Sequence, residues 1–207
     1  MAVFCSNLSL GLHAAAQPLT VLQASLDNSL TNRMSKDDLK RLTEESALEV
    51  KRVCLLFSQL KELVTIERIR PELSETHIVP VLAEVTAGAI YLFEESEMVL
   101  NSVVPDIRRP VLMDKARTLQ VLSSVLLVAH GMACPRDTVE MVACENSADT
   151  IQVVVRNLNS RFEVMDAEKR MCMVLAEASI RSQEGKLTWN LKPFSVQIEL
   201  KRAPIAN

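Results

Sequence analysis

The stretch Leu8-Ser9-Leu10-Gly11-Leu12-His13-Ala14-Ala15-Ala16-Gln17-Pro18-Leu19-Thr20-Val21-Leu22-Gln23-Ala24-Ser25-Leu26 decides how the chain folds at its start. Leu8, Leu12, Ala15, Leu19, Leu22 and Leu26 recur in steps of four, three, four, three and four. That spacing is the heptad seam of a helix lying along another helix. Polar and turn-forming residues follow over 28–35, and Ser35 stands as an N-cap with Asp37 and Asp38 in the next turn. A second seam runs through Leu39, Leu42, Ser46, Val50, Val53, Phe57, Leu60 and Val64, and Arg70-Pro71 ends it. Two antiparallel helices of this length cannot bury both seams in one hairpin. A homodimer that pairs two hairpins into a four-helix bundle covers the remaining stripes most economically.

His13 directly follows a seam residue, so it lies about 100° round the helix from Leu12 and points to solvent. Pro18 lacks an amide hydrogen, and its ring is expected to bend the helix just beyond His13. A histidine facing out of a helix with a proline five residues later is a phosphoacceptor arrangement, which suggests phosphoryl chemistry on an imidazole.

Beyond Pro71 the pattern changes, and residues 1–70 and 71–207 are expected to be separate domains. A helix is expected over 78–98, with Leu82, Val85, Ala89, Leu92 and Phe93 on its buried side. Short strands follow at 99–104 and 110–113, then a strongly apolar helix at 114–130. Strands at 139–144 and 151–156 flank the turn Asn146-Ser147-Ala148-Asp149. A helix at 166–183 ends at Glu184-Gly185, and strands at 186–190 and 195–201 close the chain around Pro193. This order predicts an α+β protein: a helical hairpin, then a mixed sheet covered on one face by three helices.

Composition narrows the function. Lys and Arg number 23 and Asp and Glu 26, so bulk charge implies no polyanion partner, and nucleic acid is not expected. Aromatics are 3% of a chain that is 48% hydrophobic, a balance suited to helix packing. Cys5, Cys54, Cys134, Cys144 and Cys172 are odd in number and lack CxxC spacing, so reduced, mostly buried thiols in a cytoplasmic protein are expected. His13, His77 and His130 share no metal-ligand spacing. No apolar run of about 18 residues is present for a membrane span. The N-terminus does not read as a secretory signal. Only four glycines occur, and none forms a phosphate-cradling loop.

With these residues laid out, nearly the whole chain resembles a sensor histidine kinase core. The first part is similar to its dimerisation and histidine phosphotransfer hairpin, and the second to its ATP-binding α/β sandwich. His13, Pro18, Leu19 and Thr20 match the histidine box. Asp114, Arg117, Gln120, Val121 and Leu122 match the approach to the asparagine box, and 175–187 with Gly185 matches the last helix and its exit. Gln17 occupies the slot where some relatives place a polar residue that orients a water, so the resemblance makes it a candidate for water or phosphoryl orientation. His13 is the candidate phosphoacceptor.

The departures from the family carry as much. Val128 and Ser124 stand at the asparagine-box positions, and valine cannot hold a hard cation. Gly131 replaces a lysine. Asn157, Asn159 and Arg161 align with Asp-x-Gly-x-Gly; Asn157 is still able to hydrogen-bond to an adenine, but neither glycine is there to let a nucleotide approach the backbone. Arg170 and Cys172 stand near the later phosphate-cradling glycines, and the short 157–166 connection leaves no room for an ATP lid. Ala14 replaces the acidic residue that commonly follows the histidine, which argues against autophosphorylation.

This combination resembles dimeric histidine phosphotransferases that keep the kinase architecture without binding ATP. It implies a histidine phosphotransferase relaying phosphoryl groups to or from a receiver-domain aspartate through His13, with no cofactor of its own and magnesium supplied by the partner receiver. The expected partners are a second copy of the chain, a response-regulator receiver domain and, as a further candidate, a sensor kinase. The alternatives are a non-catalytic pseudokinase scaffold or inhibitor and, third, a divergent ATP-dependent histidine kinase.

Overall fold

The computed structural model describes residues 2–31, 34–157, 159 and 164–204. Contacts divide the chain into two units, 1–65 and 66–207. The first is a helical hairpin of α1 (Ala2–Thr31) and most of α2 (Lys36–Arg68). α1 runs unbroken through Pro18, where the carbonyl of Ala14 loses its usual amide donor. It also runs past the expected turn at 28. Ser29 Oγ donates to Leu26 O at 2.7 Å and Thr31 Oγ1 to Asp27 O at 2.9 Å, so short polar side chains tie the last turn to its own carbonyls.

α2 starts as the sequence predicts. Ser35 Oγ accepts the Asp38 amide hydrogen at 3.1 Å and donates to Asp38 Oδ2 at 2.7 Å, a reciprocal cap. The Ser35 side chain holds the Asp38 carboxyl below its ordinary value. A depressed carboxyl favours the fold above the unfolded value, near about 3.9, and loses that contribution as pH falls through the folded one.

The seams divide into two lines each. Gly11, Ala14, Ala15 and Pro18 are buried on α1, and Leu56, Gln59, Leu60 and Leu63 on α2. Leu12, Leu19 and Leu26 remain about half exposed at 51%, 46% and 56%, as do Leu39, Val50 and Phe57 at 46%, 49% and 51%. The line exposed on α1 has a period of seven residues, so it forms one continuous stripe.

The second unit contains α3 (Ile78–Glu95), α4 (Lys115–Gly131) and α5 (Ala167–Ser182). Its strands are β1 (Ser74–Thr76), β2 (Val99–Val103), β3 (Val111–Met113), β4 (Thr138–Glu145), β5 (Thr150–Asn157), β6 (Lys186–Leu191) and β7 (Phe194–Lys201). The main sheet has the order β2-β4-β5-β7-β6; β2 and β4 are parallel and the other neighbours antiparallel. β1 and β3 form a separate antiparallel pair, of which only β3 was expected. Burial alternates along β4, β5 and β7. Val139, Met141, Ala143, Ile151, Val153, Val155, Val196 and Ile198 enter the same core as Val81, Leu82, Leu122, Leu126 and Met173 of the helices. The opposite face is polar, where Glu140 lies directly across from Arg156 and pairs with its Nε at 2.8 Å.

Asp114 and Asp166 cap α4 and α5, each accepting the amide hydrogen three residues on, at 3.1 and 2.8 Å. Asp114 also accepts the Glu72 amide at 3.1 Å, fixing the chain that enters this unit.

The exit from α5 is tight. A Cβ at Gly185 would lie 2.7 Å from Glu199 O and 2.8 Å from Ile180 Cγ2. Backbone oxygen cannot swing aside, so Gly185→Ala is expected to destabilise the protein by about 1–3 kcal/mol in urea unfolding. A stability unchanged from wild type would contradict this packing.

Candidate functional site

The helix periodicity that places Leu12 on the open stripe places His13 beside it, exposed. Gln17 is also exposed, one turn along the same helix. The structure therefore leaves the ring of His13 and the amide of Gln17 open on one side of α1. Ala14 is only 9% exposed and belongs to the buried stripe. A carboxylate at position 14 would enter that stripe rather than lie free beside the imidazole.

The positions expected to be degenerate for nucleotide lie in the second unit. α4 is amphipathic toward the core, and Val128 is one of its inward residues at 2% exposure. It offers no oxygen to a cation. Ser124, one turn earlier, is half-buried. At the end of α4 the Lys169 side chain lies against Gly131; a Cβ there would meet Lys169 Cε at 2.6 Å. Lys169 also pairs with Asp166 at the start of α5. Burial pushes the Asp166 carboxyl up, but the Lys169 ammonium and amide outweigh it and leave the carboxyl below its ordinary value.

Asn157 ends β5 with no exposed surface. Its Nδ2 donates to Met132 O at 3.4 Å and to Asp137 Oδ2 at 3.2 Å, and its Oδ1 accepts the Asn159 amide at 3.0 Å. Asp137 Oδ2 also accepts the Cys134 amide at 2.8 Å. Both Asn157 donors are thus directed at the loop that follows α4. Asp137 was not foreseen. It stands 20 residues before Asn157, with no local pattern to link the two. Arg170 is exposed and Cys172 half-buried on α5; Arg161 lies outside the described residues. Among the described residues, no group of three or more His, Cys, Asp or Glu is placed to hold a metal ion.

No helix among the described residues is long and apolar enough to cross a membrane. No protein-family model matches the chain, and no curated protein matches it. Solved structures do. Acinetobacter baumannii histidine kinase AdeS is similar over 94% of this chain and 98% of its own, with a TM-score of 0.63 and 15% identity. A histidine kinase from Burkholderia phymatum STM815 is similar over 94% and 98%, at 0.58 and 11%. Histidine kinase ThkA, solved in complex with response regulator protein TrrA, is similar over 95% of this chain and 61% of that one, at 0.67 and 15%. At such identities the likeness is one of fold. The hairpin followed by the mixed-sheet unit is the fold of a histidine kinase core.

Proposed function

We propose that this chain is a histidine phosphotransfer protein of two-component signalling, which exchanges a phosphoryl group between His13 and a receiver-domain aspartate without binding ATP. The observation that carries this reading is an exposed histidine on a kinase-type hairpin, in a chain whose adenine-site Asn157 has spent its donors internally. The unprotonated ring nitrogen of His13 attacks phosphorus in line. An N–P bond forms, the P–O bond to the receiver carboxylate breaks, and the ring gives its other N–H proton to water. The receiver supplies the metal ion and the leaving carboxylate; transfer back reverses each step. Gln17 stands where an amide could position the phosphoryl group or a water. The similarity to ThkA, solved with a response regulator, supports the choice of partner. Cys5 and Cys54 are exposed and Cys134, Cys144 and Cys172 half-buried, so the thiols are not the mostly buried ones that the sequence suggests.

A scaffold that binds a receiver or kinase without carrying phosphate is the second reading. Ala14 favours it, because no acidic group follows the histidine to orient the ring. Ala14→Asp is not a clean rescue, since Ala14 is buried.

Absence of nucleotide binding separates both from a divergent kinase. Calorimetry of the full chain with ATP or ADP and magnesium, at sub-millimolar ligand, is expected to give no isotherm. Val128 provides no cation ligand and Lys169 occupies the space above Gly131. A clear magnesium-dependent isotherm would return the kinase reading to first place. The direct test of phosphotransfer is labelling of the full chain by a phosphorylated receiver.

A further inference from the structure

We propose that the groove between α3 and α4 is a docking site for a short amphipathic helix of another protein, with basic residues beside its apolar face. The two helices run side by side in the same direction: Glu84 pairs with Lys115 at 3.1 Å near their starts, and Phe93 meets His130 edge-on at 5.1 Å near their ends. Between those contacts lies a groove of about 320 Å3. Val85 and Leu119 line one end, and Leu92, Phe93, Leu126 and Leu127 the other. Its middle is shallow-walled because Gly88, Ala89 and Ser123 are small. A Cβ built on Gly88 meets nothing within 4 Å.

Glycine in the middle of a helix is less favourable than alanine. No close approach within the chain requires it here; the open space beside it lies in the groove. Leu127, which lines the groove, is 58% exposed, so the apolar lining reaches the surface. The span from Val85 to Leu92 is seven residues, about 10–11 Å of helix. A partner helix presents anchors i, i+3/i+4 and i+7 over the same length.

Charge selects the occupant. The last turn of α3 carries Glu94 and Glu95, with Glu97 just beyond and no basic residue in that turn. All three are exposed, and none has a side-chain ion pair within the chain among the described residues. Acidic side chains at a helix C-terminus oppose the helix dipole, and Glu95 continues the groove-side row of Gly88 and Leu92. A Lys- or Arg-bearing segment placed in the groove neutralises that end. The groove is built from α3 and α4 alone and does not involve His13, so it stands or falls apart from the phosphotransfer reading.

The test uses the full chain, isotopically labelled for NMR, and two synthetic 14-residue peptides. Both carry leucines at i, i+3, i+4 and i+7 on an alanine background; one has lysines in the flanking turn, the other glutamates. The basic peptide is expected to shift signals of Gly88, Ala89, Leu119, Ser123 and Leu127, and to bind at least tenfold more tightly than the acidic one at low salt. Gly88→Leu fills the groove and is a better helix former, so it is expected to fold as wild type and lose binding. Leu127→Asp, at an exposed site, is expected to do the same. Glu94→Lys with Glu95→Lys is expected to erase the preference for the basic peptide. Shifts that map elsewhere, equal binding of the two peptides, or full binding by Gly88→Leu overturn the proposal. A concentration-dependent self-association that Gly88→Leu removes would also overturn it, by assigning the groove to a second copy.

Discussion

Incubated with a cognate phosphorylated receiver, the wild-type chain is expected to acquire a phosphoryl label stable in base and labile in acid, and His13→Ala is expected to carry none. The contrast is chemical rather than structural. His13 is exposed on α1, so its truncation is expected to change stability by no more than about 0.5 kcal/mol. Circular dichroism and receiver binding should therefore match wild type while the label falls to background. His77→Ala is the internal control: His77 is also exposed but lies outside the hairpin, and its loss should leave the label intact. Gln17→Ala is expected to keep the label and change its lifetime, because an amide one turn away can act on water or phosphoryl oxygen without being the nucleophile. A wild-type chain that binds receivers yet never labels, with its fold intact, gives the scaffold reading the field.

What the sequence revealed, and what it hid, follows from the range of the forces involved. Period-2 burial in β4, β5 and β7 and the capping aspartates at 114 and 166 are local patterns, and the structure places strands and helices where those patterns lie. β1 escaped notice because Ser74-Glu75-Thr76 has no apolar alternation and is held only by pairing with β3. α1 continues to Thr31 because Ser29 and Thr31, turn-formers by propensity, bond back to the helix instead. At the candidate site, the exposure of His13 followed from its place beside Leu12. The internal bonding of Asn157 and the packing at Gly131 did not. They rest on Asp137 and Met132 meeting Asn157 across the fold, and on Lys169 meeting Gly131 between two helices. A missing motif can be seen in a sequence, whereas the side chains that fill its place need coordinates.

The same limit applies to the seams, and it sets the sharpest prediction about assembly. In the sequence Phe57 and Leu60 belong to one stripe, yet in the single chain Phe57 is 51% exposed and Leu60 only 6%. Leu60 is therefore an interior residue, whereas Phe57, with Leu12, Leu19, Leu26, Leu39 and Val50, stays about half exposed in the single chain. Each half-exposed side chain has about 1 kcal/mol of burial still to gain. Six per chain is a substantial share of what a stable dimer needs once the cost of association is met. The protein is accordingly expected to sediment as a dimer at micromolar concentration. Phe57→Glu removes two of these contacts per dimer and sets two carboxylates in the apolar seam, so it should yield a monomer with nearly wild-type helicity. Leu60→Glu puts its charge at a position only 6% exposed, so it should lose helical signal whatever the concentration. If Phe57→Glu unfolds the chain as Leu60→Glu does, the two residues share one interior and the division of the seams is wrong. If wild type is itself a monomer, the six exposed side chains serve some surface other than a second copy of this chain.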